Sequence, residues 1–92
     1  MPIKIGDFVV SFAGRDKHKH FLVVDVIEDK VLLVDGKARK VNRPKLKNVK
    51  HVKKISTANA KSIAENIKNG QIVGNQRVYQ LIKTERQKIQ ED

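Results

Sequence analysis

From Val9 to Asp35 the chain reads VVSFAGRDKHKHFLVVDVIEDKVLLVD: short apolar runs separated by polar breaks. The stretch reads as three short strands joined by two tight connections. Phe8, Val10 and Phe12 alternate with Asp7, Val9 and Ser11, the period of two of a strand buried on one face. Ala13-Gly14-Arg15-Asp16-Lys17 follows as a polar turn whose Gly can take a positive φ. Phe21 to Ile27, rich in β-branched residues, is the second strand. Glu28-Asp29-Lys30 is a hairpin loop, and Val31 to Val34 returns.

On either side the pattern is looser. Met1 to Ile5 can add an edge strand, and Asp35-Gly36 is a strong turn signal. Lys37 to Val41 reads as a fourth strand, with Arg39 and Val41 on one face and Ala38 and Lys40 on the other. Pro44 breaks the ladder, Leu46 to Asn48 continues a basic connection, and Val49 to Ile55 is the last strand. Five short strands suggest a mainly β fold, a small SH3-like barrel over residues 1–55.

Residues 56–92 change character. Ser56 or Thr57 can cap a helix, and Ala60, Ile63, Ala64 and Ile67 fall on one helical stripe. Asn69-Gly70 is a stop, Asn75 can cap a second helix, and Val78, Leu81 and Ile82 mark its inner face. Its polar tail, Thr84 to Asp92, is expected to fray. These helices can pack on the barrel, form a hairpin or serve as a docking element. A barrel of this size buries a modest core, so help from the C-terminal segment is expected.

The segment AGRDKHKHFLVVDVIEDKVLLVDGKARKV carries a resemblance. With Ala13-Gly14-Arg15-Asp16 and Val34-Asp35-Gly36 in register and a basic run behind them, it resembles the KOW-type RNA-binding proteins of Gram-positive bacteria. Those are similar to KOW-type large-subunit ribosomal proteins of archaea and eukaryotes. The similarity spans roughly residues 5 to 53. It implies an SH3-like barrel that meets RNA through the loop after its first strand. Such proteins often have a second Gly in that loop, where this chain has His18.

Charge points the same way. The chain has 20 Lys and Arg against 10 Asp and Glu, a formal net charge of +10. Between Lys37 and Lys54 there are nine Lys or Arg and no acid, a one-signed field suited to a polyanion. The resemblance puts Arg15 and Lys17 in the RNA-facing loop, with Lys19 leading out of it. Lys37, Arg39 and Lys40 flank the next turn, and Arg43, Lys45, Lys47 and Lys50 extend the basic surface. Arg15 and Arg39 are the leading two, because a guanidinium can grip phosphate with two bonds and stack on a base. Any single Lys here can equally be a solvated surface residue.

Base-by-base readout is not expected. The aromatics are Phe8, Phe12, Phe21 and Tyr79. Phe8 and Phe12 fit a core, Phe21 fits a core better than a barrel mouth, and no pair resembles the stacking platform of an RRM sheet. Recognition of shape and phosphate on folded RNA is the expected mode.

Other chemistries lack their residues. There is no Cys, hence no disulfide framework and no thiol nucleophile. His18, His20 and His51 have neither Cys nor a matching carboxylate pattern to complete a zinc site, and they read better as polar groups beside RNA. No P-loop, dinucleotide fingerprint or nucleophile elbow is present, so neither catalysis nor a cofactor is expected. MPIKIGDF has no signal-peptide apolar core and no run is long enough to span a membrane, so the expected location is the cytoplasm.

The expected function is therefore binding of structured RNA. The resemblance narrows the target to large-subunit rRNA, in a ribosomal or ribosome-associated protein of translation with ribosomal proteins as neighbours. A protein-interaction module of the transcription or translation machinery is the alternative, with the helices holding the partner and RNA contact secondary. Nonspecific DNA binding is a third possibility.

Overall fold

The computed structural model describes residues 2–57 and 60–90. Five strands, β1 (Asp7–Ser11), β2 (His20–Ile27), β3 (Lys30–Val34), β4 (Lys45–Asn48) and β5 (Val52–Thr57), precede two helices, α1 (Lys61–Lys68) and α2 (Asn75–Gln90). The strands form one antiparallel sheet in the order β4-β3-β2-β1-β5. The architecture is mainly β with two C-terminal helices.

Both faces of the sheet are buried. Phe8, Leu22, Val24 and Val34 point to one side, where Ala60, Ala64, Val78 and Ile82 of the helical segment cover them. Val9, Phe21, Val23, Val31, Leu33 and Val52 point to the other, joined by Ile3, Val26 and Val49. Each Val, Leu or Phe so buried contributes about 1.5–3 kcal/mol of transfer free energy. The helices thus share a core with the strands, which decides among the three roles open to them.

A bulge in β2 assigns residues to these two sides. Val23 opposes Leu33 and Asp25 opposes Leu32, so Val24 is the extra residue and the alternation changes phase after it. Val26 then joins the second cluster, while the Asp25 carboxylate lies 3.4 Å from Lys68 Nζ on α1.

The turn chemistry follows the sequence closely. Gly14 has φ 72° and opens a 3-10 turn over Gly14–Asp16. Glu28 and Asp29 form the β2–β3 connection, with Glu28 left-handed at φ 56°. Asn69 ends α1, and Gly70 follows at φ 79°. Val78 and Ile82 are buried and Leu81 partly so, as the helical stripe requires.

Several expectations are corrected. Residues 37–41 are not a strand. The Asp35 carboxylate accepts from the N–H groups of Lys37 and Arg39 at 2.8 and 2.7 Å, and Val41 N–H donates to Asn75 Oδ1 at 2.8 Å. Backbone donors that a strand would offer its neighbour are taken by side chains, and the fourth strand forms instead at Lys45–Asn48, directly after Pro44.

The last strand begins later than its apolar residues suggest. Val49–His51 is a 3-10 turn, with Asn48 Oδ1 accepting from Lys50 N–H, and β5 runs from Val52 through Thr57. Ser56 therefore caps no helix; its hydroxyl donates to Glu85 Oε2 at 2.9 Å.

Phe12 is not core. Val9 and Ser11 are fully buried, whereas Phe12 lies beyond β1 and is 50% exposed. The single-face expectation fails because helices and sheet together enclose β1 from both sides.

At the ends, residues 2–5 are not an edge strand. Asp7 folds them back, accepting from Lys4 N–H at 2.8 Å while its own N–H donates to Lys4 O. Met1 lies outside the described residues. The helix expected to fray from Thr84 continues to Gln90, with Glu85 tied to Ser56; residues 91–92 lie outside the described residues.

Candidate nucleic-acid interface

The segment between β3 and β4 is the centre of the basic surface. Gly36, at φ 78°, sits against the first turn of α2, where a Cβ would collide with Asn75 O and come within 2.9 Å of Tyr79 N. Only a glycine lets the turn approach so closely. With Val41 tied to Asn75, the loop is docked on α2 at two points.

A cleft opens on each side of this loop. One, of about 700 Å³, is lined by Arg39, Lys40, Asn42, Arg43, Pro44 and Lys45, with Ala38 and Leu46, and has no acidic residue in its wall among the described residues. The other, of about 560 Å³, lies between the loop after β1, the turn after β3 and α2. Lys17, Lys19, Lys37 and Arg86 line it with His18, His20 and Tyr79, and Asp35 is its one acid. The Asp35 carboxylate is already engaged by two backbone N–H groups. Ala38 borders both clefts, so the two adjoin at the loop.

Of the ten basic residues expected at an RNA surface, seven line these clefts: Lys17, Lys19 and Lys37 in one, Arg39, Lys40, Arg43 and Lys45 in the other. Arg15 and Lys50 are exposed but line neither. Lys47 has a different place. Its side chain is only 9% exposed, and Nζ donates to Ala13 O at 2.8 Å and stands 3.9 Å from Asp16.

Asp16 explains why. Its side chain is buried, and Arg39 Nη2 donates to both carboxylate oxygens. A buried carboxylate needs paired charge and hydrogen bonds, and Arg39 and Lys47 provide them. Arg39 therefore has two attachments: it lines the larger cleft, and it pins the loop after β1 to the loop after β3.

His18 takes a left-handed backbone conformation, φ 71°, and its N–H donates to Ser11 O at 2.7 Å. His18 thus keeps a glycine-like backbone geometry with an imidazole on it. His20, at the start of β2, is half-buried in the smaller cleft. Burial, and to a lesser degree the positive charge of Arg86, lowers its pKa below 6.5, so the neutral ring predominates near neutral pH.

Tyr79 and Arg86 were not among the residues expected at this surface, and His20 was expected only as a polar group beside RNA. One signal was available: Tyr79, Lys83 and Arg86 follow helical spacing and are all exposed on the outer side of α2. Their approach to the barrel loops depends on how α2 docks, which periodicity does not encode.

Among the described residues, no group of three His, Cys, Asp or Glu is placed to hold a metal ion, and no helix is long and apolar enough to cross a membrane. The chain matches no family model and no curated protein.

Proposed function

We propose that this chain is an RNA-binding protein that docks its basic loop face on structured RNA. The observation that carries the reading is the gathering of seven expected RNA-contacting cations into two adjoining clefts around the loop between β3 and β4. Phosphates entering them meet fixed positive charge, and the single carboxylate in the walls is occupied by backbone.

The fold is read as an SH3-like barrel of the KOW type. Two features support it. Among the described residues, the second hydrophobic cluster is buried without residues from either helix, as it would be inside a sheet that curls over itself. Bulges in β2 and in the β1–β5 pair supply the bend. With the resemblance over residues 5–53, this favours large-subunit rRNA as the target, in a cytoplasmic, ribosome-associated protein.

The test is the salt dependence of binding to a structured rRNA fragment. About five phosphate contacts give a log–log slope near −4; a slope near zero overturns the reading. The alternative, a protein-interaction module, has the helices hold a partner. Their apolar faces are already covered by the sheet, which leaves that reading the weaker. Association with ribosomes that survives RNase would favour it.

A further inference from the structure

The smaller cleft differs from the larger in a way that phosphate binding does not require. It contains Tyr79, the only tyrosine in a chain without tryptophan, with its residue 36% exposed. Cations stand around the ring: Lys37 Nζ lies 5.7 Å from its centroid, and Lys17, Lys19 and Arg86 line the surrounding wall. Ile82 and Ala38 add apolar lining. An aromatic face with a rim of cations matches a nucleotide, which has a flat π surface at one end and an anion at the other.

We propose that this cleft receives one unpaired nucleotide of the bound RNA, its base laid on the Tyr79 ring and its phosphates held by Lys17, Lys19 and Arg86. The proposal rests on the RNA-binding reading and narrows the ligand to RNA that offers an unstacked base beside a paired stem. A volume of about 560 Å³ suits such an occupant. Lys37 does not block it. At 5.7 Å its ammonium is near the outer limit of attraction to a ring face, and at an exposed site that contact is weak. A base can replace it, and the freed ammonium can move to a neighbouring phosphate. Tyr79 is held for the task by the first turn of α2, against which Gly36 packs. Base recognition here is a single stacking point added to the phosphate contacts of the loop face.

The experiment uses the full chain and two RNA hairpins of equal length, one fully paired and one with a single unpaired adenine in its stem. Binding is measured at one fixed salt concentration for the natural protein, Tyr79→Leu, Tyr79→Phe and Arg43→Ala. The natural protein should prefer the bulged hairpin by about tenfold, the worth of one base stacked on an aromatic ring. Tyr79→Leu should abolish the preference, and Tyr79→Phe should keep it. Because tyrosine fluorescence comes from Tyr79 alone, the bulged hairpin should quench it more strongly than the paired one. Equal affinity for both hairpins, or a preference that survives Tyr79→Leu, overturns the proposal. If both hairpins bind alike and Arg43→Ala weakens both, the RNA-binding reading stands and only the nucleotide cleft falls. If neither binds, both fall together.

Discussion

Arg39 donates through one guanidinium nitrogen to both carboxylate oxygens of Asp16, at 3.2 and 3.1 Å, across 23 residues of sequence. Asp16 is 3% exposed, so the pair is a structural tie between two loops as well as part of a basic surface. Asp16→Ala should strand two cations and lower stability by about 3 kcal/mol. Arg39→Ala should also be measurably destabilising, whereas Arg15→Ala, on an exposed side chain, should stay within about 0.5 kcal/mol of the natural protein. Denaturant midpoints of the three variants check this; an unchanged midpoint for Asp16→Ala would remove the tie from the account.

His18 holds a left-handed conformation that disfavours side chains. Replacing it by Gly should relieve strain of about 1 kcal/mol, partly offset by the greater freedom of Gly in the unfolded chain. A small rise in the melting temperature of His18→Gly is expected. A fall would mean that the imidazole makes contacts outweighing the strain.

Gly36→Ala should do the reverse. The added Cβ meets the backbone of Asn75 and Tyr79, and φ is unfavourable as well. A loss of about 3 kcal/mol is expected from the clash and the strain together. Amide exchange should quicken at Val41, whose N–H reaches Asn75 only while the loop stays docked. Unchanged protection there would show that the loop holds without Gly36.

Stability should depend on pH through His20. Its folded pKa lies below the unfolded value of 6.5, so the unfolded chain takes up the proton first. Its contribution is complete above about pH 6.5 and is lost as pH falls through the folded pKa. Natural protein should therefore weaken, as pH falls below about 6.5, more steeply than His20→Asn. Parallel profiles would place the pH dependence elsewhere.

On RNA, Lys40→Ala and Arg43→Ala should each weaken binding to all structured RNAs alike and flatten the log–log salt slope by about 0.7–0.9. Loss of affinity for one RNA only would make either residue a reader of sequence instead of phosphate.

The parts of the fold legible in the sequence were those with local causes. The β2–β3 hairpin, the turn at Gly14 and the apolar stripes of both helices follow from periodicity and turn residues alone. The region from Lys37 to Asn48 was misread because its geometry depends on distant groups. Val41 looks like a strand residue until Asn75 claims its N–H, and Lys45–Asn48 has little strand character apart from its pairing with β3. The candidate surface divides the same way. Seven basic residues could be anticipated from charge and resemblance. The structural duty of Lys47 could not, since it depends on the burial of Asp16; nor could the places of Tyr79 and Arg86, which follow from how α2 docks.

The shared core has a consequence for how the protein is made. Phe8, Leu22, Val24 and Val34 are synthesised early, while Ala64, Val78 and Ile82, which cover them, come late. At about 5–20 residues per second, the strands emerge seconds before their cover exists. A nascent chain stopped before α2 has Ala60, Ala64 and Ile67 over this side of its sheet but lacks the cover of Val78 and Ile82. Such fragments should be bound by chaperones or degraded, and the chain should escape both only once α2 has closed over this side of the sheet.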